Sequence, residues 1–444
     1  MVPFVKSSKL ATLCFTLIFT SLLISTVGAE EAIVLDLDGC IARALESNRQ
    51  IGTGHEKVTR AFEQIKETRA VAWPEVKANA DYTYIGDVKS YAFGPDTFAM
   101  EQDNYRIGLS LDQKLYAPEV FEAIKASKSY AGQAEMEFQI VEADVVRDVK
   151  KAYYYYLYSK AMITVTEESV AQLERHVGDI QSRYEVGLAT DFDVLRAEVQ
   201  LANSIPMLTK SKNAFVLAKK NLKSQLAMEK EENLHIEGRL EYIPMEISND
   251  EALALAFNKR PEIAFLDYAI KNLEYNVEAI RKSAYPSLSL NGSYSYANDD
   301  IDMMGEAEWA TSWNVGLSLK VTLFDGWGNK ARIAQKSSDV RTAKIEKNEL
   351  MSAIDLEVRT ALSHMAEVRA LIKSQEKNIE NAARAFEIAE AGNLNGVVTE
   401  LELLDAQLAM TQARSNYKEA VYNWLVARTD LERAIGTVLD YEDQ

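Results

Sequence analysis

One internal duplication limits what this chain can fold into more than any other feature. "GLATDFDVLRAE", beginning at Gly187, and "GVVTELELLDAQ", beginning at Gly396, share Gly, Thr, acid, apolar, acid, apolar, Leu and Ala at one spacing, at an offset of 209 residues. The repeat extends well beyond this stretch. "DGCIARALESNRQI" from Asp38 aligns with "DEALALAFNKRPEI" from Asp250, and Trp73-Pro74 with Tyr285-Pro286, both at an offset of 212 residues; "KLYAPE" from Lys114 meets "TLFDGW" from Thr322 at 208. Whatever one half builds, the other builds again, so 444 residues read as one doubled unit rather than a set of unrelated domains. Each half has the order helix, Pro, strands, long helix, tip, long helix. The expected halves are residues 30–238 and 239–444.

Residues 1–29 stand apart. Lys6 and Lys9 precede an apolar run from Leu10 to Ile24 and a small-residue end at Ala29, the pattern of a secretory signal peptide. Without it, 47 basic residues face 67 acidic ones, a formal charge of −20, which argues against a nucleic-acid partner. Cys14 leaves with the signal and Cys40 has no second cysteine to pair with. "LDGC" faintly resembles a lipid-attachment box, but Asp36 and Asp38 stand where such a box needs apolar or small residues, so Cys40 reads as a packed helix cysteine. His55, His176, His235 and His364 are scattered singly and read as solvated or satisfied rather than as metal ligands. No metal, no cofactor and no Ser-His-Asp or Cys-His constellation is expected, which argues against an enzyme.

After each Pro the helical period gives way to strict alternation. Val76, Ala78, Ala80, Tyr82 and Tyr84 alternate with polar residues, and so do Tyr105, Ile107, Leu109 and Leu111, then Leu288, Leu290, Tyr294 and Tyr296, then Trp313, Val315, Leu317, Leu319, Val321 and Leu323. The expected strands are about 75–84, 105–115, 287–296 and 312–323, each near the ~9–11 residues a tilted strand needs to cross a bilayer. Aromatic residues gather toward their ends and the other face is rich in Ser, Asn and Lys, as in a membrane barrel with a wet lumen rather than a soluble sandwich. The connections Ile85–Asn104 and Ala297–Thr311 read as surface loops. Four strands cannot close in lipid, where an open edge leaves backbone groups unpaired. Copies of the chain must therefore share a barrel, and eight strands from two or twelve from three are both open on these grounds.

The remainder reads as two long helical hairpins, 117–228 and 327–436. The first helix of the pair would run on the order of 100 Å at ~1.5 Å per residue. Ile163, Val170, Val177 and Tyr184, with Thr166, Leu173 and Ile180 between them, form a heptad seam for the helix after the tip. Pro206 should kink or briefly break that return helix. "AYYYYLY" from Ala152 points all round a helix and reads as interhelical packing. Each half inserts a two-strand hairpin, so both helical sets lie on the side of the mature N-terminus, the periplasm for an exported bacterial chain.

"YPSLSLNGSYSY", "VGLSLKVTLFDGWGNKARIAQ", "RYEVGLATDFDVLRAE" and "LELLDAQLAMTQARSNYKEAVYNWLVA", in this order on a doubled chain, resemble the TolC family of outer-membrane efflux proteins. The resemblance covers essentially the whole mature chain. It implies a mainly α fold with a transmembrane β-barrel: a homotrimer in outer-membrane lipid whose twelve-stranded barrel continues into a periplasmic α-helical barrel. It also implies an exit duct that performs no chemistry and docks on a periplasmic adaptor and an inner-membrane pump of RND or ABC type, in efflux or type I secretion. The alternative is a stand-alone porin, which has no need of helices this long.

In that family the two Gly-x-x-Thr stretches are the periplasmic tips. Thr399 with Glu402, and Thr190 with Asp193, read as capping boxes, with Asp191 and Glu400 in first turns. Asp405 lies beyond the box on the face of Glu402, whereas the first half offers Asp193 and Arg196, a pair able to neutralise itself. Glu402, Asp405 and Asp193 are the candidate aperture residues, the first two forming acidic rings about the trimer axis. Arg183, Tyr184, Gly187, Asn393 and Gly396 are the candidate adaptor contacts. Some relatives lock the aperture through a Tyr three residues before the second Gly and an Arg two after it. Asn393 and Val398 stand there in this chain, so any lock must use other contacts.

Overall fold

The computed structural model describes residues 33–86, 90–93, 96–99, 102–229, 233–301 and 307–437. The signal segment 1–29 and Gly94-Pro95 lie outside them. Strand β1 (Ile33–Leu35) leads into α1 (Leu37–Ser47) and α2 (Arg49–Ala70). Asn48 separates the two helices in extended backbone; its side-chain oxygen accepts from the Gln50 N–H, and its amide donates to the Gln225 carbonyl at 2.8 Å. One side chain thus starts α2 and ties it to a helix end 177 residues away. The second half repeats the joint at Arg260, between α5 (Asn249–Lys259) and α6 (Pro261–Lys282). There Pro261 enforces the break, because proline disfavours helical backbone in the residue before it while suiting a helix's first turn.

The alternating runs form one antiparallel sheet of β2 (Glu75–Tyr84), β5 (Asp103–Tyr116), β7 (Ser287–Ile301) and β8 (Ala307–Lys320), in the order β2-β5-β7-β8. Two expectations need correction. The first connection is no plain loop: β3 (Ser90–Phe93) pairs antiparallel with β4 (Asp96–Ala99) in a ladder of its own. In the second, β7 and β8 continue to Ile301 and from Ala307, across a bulge between Ala297 and Asp300. The last strand stops at Lys320, three residues early, because the chain turns through left-handed Gly326 and Trp327 into the next helix.

No layer covers either face of this sheet among the described residues. On one face Val76, Ile107, Trp313, Val315, Leu317 and Leu319 are each more than half exposed. On the other, Asn291 donates to Asp112 at 2.5 Å, Asn314 to Ser293 at 2.6 Å, and Ser295 and Ser312 share a hydrogen bond of 2.8 Å. Water would drive such an apolar face against something; a polar ladder opposite it suits a wet interior. Among the described residues both edge strands, β2 and β8, are unpaired on their outer sides.

Below the sheet run α3 (Pro118–Glu185), α4 (Asp191–Gln225), α7 (Gly328–Leu394) and α8 (Glu400–Ile435). At 68 and 67 residues, α3 and α7 are each about 100 Å long at ~1.5 Å per residue. Helix α3 is shared: α2 and α6 pack on its sheet end, and α4 and α8 flank it farther down. The seam buries Val170, Leu173 and Ile180 but leaves Tyr184 43% exposed, and α8 as well as α4 lies against α3. Pro206 does not break α4, which runs through it. The carbonyl it frees belongs to Ala202, which is exposed, so water can satisfy it.

The core sits midway, where the short β1–β6 ladder (β6, Leu234–Ile236) and α1 meet α3 and α8. Val149, Val358, Trp424 and Leu431 are essentially inaccessible there, and Trp424 donates to the Ile243 carbonyl at 3.0 Å. The tyrosine run packs: Tyr153 donates to the Glu237 carbonyl at 2.6 Å, Tyr156 lies on Phe215, and Tyr155 and Tyr158 lie on Tyr422. Cys40 is fully buried on α1, and burial beside Asp36 pushes its thiol up to about 12, which makes it inert.

Charges are buried here too. Arg260 holds Glu262 at 3.0 Å and pairs with Glu357, Arg433 bridges Glu262 at 2.7 Å and Asp144 at 2.8 Å, and Lys150 bonds Glu432 at 2.7 Å. These pairs tie α6, α7, α3 and α8 at one level.

Candidate functional site at the hairpin tips

The two tips are built alike. Gly187 has φ +75° and Gly396 φ +72°, a left-handed conformation that costs glycine nothing. Each glycine N–H donates to the carbonyl three residues back, Tyr184 at 2.9 Å and Asn393 at 3.1 Å. The next N–H returns to the last turn, Leu188 to Arg183 at 2.8 Å and Val397 to Gly392 at 2.9 Å. This closes α3 and α7 with the paired bonds of a Schellman end. Two residues later the return helices open on full capping boxes, Thr190 with Asp193 and Thr399 with Glu402.

The boxes fix the acids. Asp193 accepts from the Thr190 hydroxyl at 2.6 Å and its N–H at 3.0 Å; Glu402 accepts from the Thr399 hydroxyl and N–H, both at 2.8 Å. Hydrogen bonds from Thr190, side chain first and then backbone, hold the Asp193 carboxyl below its usual value, and the Thr399 N–H and hydroxyl do the same for Glu402. Both are charged at neutral pH. Glu402 and Asp405 are exposed and Asp193 is half-buried.

The self-neutralising pair of the first tip does not form. Arg196 lies over the Phe192 ring at 5.7 Å with no salt bridge to Asp193 among the described residues, because the aspartate is committed to Thr190. Its charge still lowers the Asp193 carboxyl slightly.

Two of the candidate contacts find each other. Arg183 donates to the Asn393 side-chain oxygen at 3.0 Å, joining the first hairpin to the second. The Asn393 amide reaches the Val398 carbonyl and Glu400, each at 3.4 Å. Glu400 also pairs with His176 of α3, two groups with side chains only 10% and 12% exposed. Glu400 was expected as a first-turn acid, and His176 as a lone histidine; together they form a clasp between the hairpins. The 224 residues between them put this pairing beyond any local signal. Tyr184 is partly exposed and Gly187 and Gly396 stand open, with nothing near a Cβ built on either.

Apolar side chains, absent from the candidate contacts above, crown both turns. Val186, Leu188 and Phe192 on one tip and Leu394 and Val397 on the other are 68–82% exposed. The signal was present in "GLAT" and "GVVT": an apolar residue directly after each turn glycine.

The doubling of the chain recurs in comparison with known proteins. The model of the family described as "Outer membrane efflux protein" matches twice, over residues 40–227 and 252–437; the segments begin 212 residues apart, the offset of the repeat. The outer membrane protein TolC of Vibrio cholerae is 22% identical over 407 residues, 90% of each chain. The cation efflux system protein CusC of Escherichia coli K12 is 22% identical over 428 residues, 89% of this chain and 85% of that one. Among solved structures, the Campylobacter jejuni CmeC outer membrane channel superimposes with a TM-score of 0.75 at 17% identity, covering 92% of this chain and 87% of that one.

Proposed function

The chain belongs to the outer membrane efflux protein family, and from that premise we propose that three copies form the exit duct of an export machine. Residues 1–29 would be the export signal, removed before residues 30–238 and 239–444 fold as two like halves. The observation that carries the reading is the bare sheet, with one apolar face, one polar face and two unpaired edges. Three such sheets joined edge to edge make twelve strands, the apolar face toward lipid and the polar ladder toward the lumen. Helices of about 100 Å then carry the lumen across the periplasm.

The tips take the partner. Leu188 and Val397, with Val186, Phe192 and Leu394, offer exposed apolar anchors on both hairpins, the kind of residue that dominates binding energy at an interface. A periplasmic adaptor seats on them beside Tyr184, Gly187 and Gly396 and couples the duct to an inner-membrane pump of RND or ABC type. Arg183 and Asn393 have a second task, since they bond each other across the hairpins. Inside that rim Glu402, Asp405 and Asp193, repeated by the threefold axis, face the passing solute as acidic rings. The protein supplies passage; the energy comes from the pump.

Cross-linked complexes isolated from native membranes test the docking. Wild-type protein should retain a helical-hairpin adaptor, identified by mass spectrometry, and the Leu188→Glu/Val397→Glu double variant should lose it while still assembling as a trimer. Equal recovery with both proteins would refute these tips as the docking surface.

A further inference from the structure

Helices α4 and α8 flank the same stretch of α3, from Tyr155 to Leu173, and leave a cleft of about 370 Å³ between all three. That is the size of a small-molecule site rather than a packing defect. We propose that this cleft binds a drug-sized aromatic anion. Its walls set aromatic and aliphatic side chains among hydroxyls and amides, Ser204, Thr411, Gln200 and Asn203 included, and the aromatic part is stiff: Tyr155 and Tyr158 pack on Tyr422, at 5.8 and 5.0 Å between ring centres. Met162, Met207, Leu404 and Leu408 add aliphatic and thioether surface beside the rings. Methionines shape themselves to flat rings and add sulfur–aromatic contacts.

Two polar features select the charge. Gln407 lines the cleft, is 5% exposed, and its amide nitrogen has no hydrogen-bond partner. A buried donor left unmet in a folded protein is rare and marks a place where an acceptor belongs. The only charged side chain on the walls is Lys210, which makes no salt bridge among the described residues. A cleft of rings and aliphatic side chains edged by hydroxyls and amides, with one cation and one donor unpaired among the described residues, in a chain of formal charge −18, complements a flat molecule carrying one negative charge and a further acceptor. It does not complement a cation. Because the cleft is walled by α3 and α4 of one hairpin and α8 of the other, an occupant touches both hairpins of a subunit at once.

Calorimetric titration of the full-length protein in nanodiscs with naphthalene-1-sulfonate, which is water-soluble and does not form micelles, tests the site. Saturable binding is expected. Lys210→Glu, at an exposed position, should weaken it about tenfold, the effect of turning a modest attraction into a repulsion. Gln407→Leu should weaken it roughly fivefold through the lost hydrogen bond, without lowering thermal stability. Ser204→Trp should fill the cleft and abolish binding; if that variant fails to assemble, Lys210→Glu decides alone. The cationic counterpart 1-naphthylmethylammonium should not bind. No saturable binding, as when a neighbouring subunit fills the cleft, would overturn the proposal, as would binding indifferent to Lys210→Glu or equal binding of the cation.

Discussion

Glu262 concentrates the chemistry of single residues in this molecule. Burial alone would raise its carboxyl, but hydrogen bonds from Arg260 and from its own backbone, with the charges of Arg260 and Arg433, pull it down to about 2. A depressed acid stabilises the fold above its unfolded pKa and loses that contribution as pH falls through the folded value. From an ordinary 4.5 the difference corresponds to roughly 3 kcal/mol, present in full above about pH 5 and gone below about pH 2. Glu262→Gln should therefore lower thermal stability at pH 7 by a comparable amount, since it leaves Arg260 and Arg433 buried with one partner fewer. The gap between variant and wild type should narrow below about pH 5 and close only as the pH nears about 2. A gap that persists unchanged in acid would show that packing, not charge, is what Glu262 supplies.

At the scale of elements, α3 contains two glycines whose roles are opposite. Gly132 faces α6 so closely that an added Cβ would lie 2.6 Å from the Tyr268 ring, while one at Gly178 would meet nothing within 4 Å. Gly132→Ala should cost ~1–3 kcal/mol by prising α3 from α6. Gly178→Ala should instead stabilise α3 by ~0.5–1 kcal/mol, the usual gain in a helix interior. Thermal unfolding of the two variants checks the signs, and equal effects would mean that α3 and α6 have slack between them. The same helix shows what the sequence made legible. Period and repeat located the four strands, both tips and both capping boxes, because these depend on residues within a few positions of one another. They could not locate the β1–β6 ladder, three residues long on each side, nor the Arg183–Asn393 and His176–Glu400 contacts. Those are set by how two hairpins lean together, and no local pattern records it. The β3–β4 ladder escapes for a different reason: Gly94-Pro95 is a loop signal, and such a signal also permits short strands on either side.

For the whole molecule, the tips hold two kinds of side chain, exposed acids and contacts between the hairpins, which in the proposed duct should act on different properties. Glu402 and Asp405 are exposed acids; in the trimer we propose, three copies of each about an axis would make a field that attracts cations whether or not the hairpins move. His176–Glu400 and Arg183–Asn393 join the first hairpin to the second, so in our reading they set how far apart the tips stand without facing the solute. Single-channel recording of the trimer in planar bilayers separates these roles. Glu402→Gln/Asp405→Asn should reduce cation preference and block by polycations with little change in conductance. His176→Ala/Asn393→Ala should raise conductance, because the second hairpin is freed, and leave cation preference near that of the wild type. The capping boxes complicate the first variant in a defined way: glutamine at 402 keeps the reach to Thr399 but loses the charge, so the turn should hold while the field falls. If Glu402→Gln/Asp405→Asn conducts with unaltered selectivity, the acids face away from the lumen. If instead the clasp variant changes selectivity and not conductance, then the hairpins are held by the trimer rather than by their own side chains.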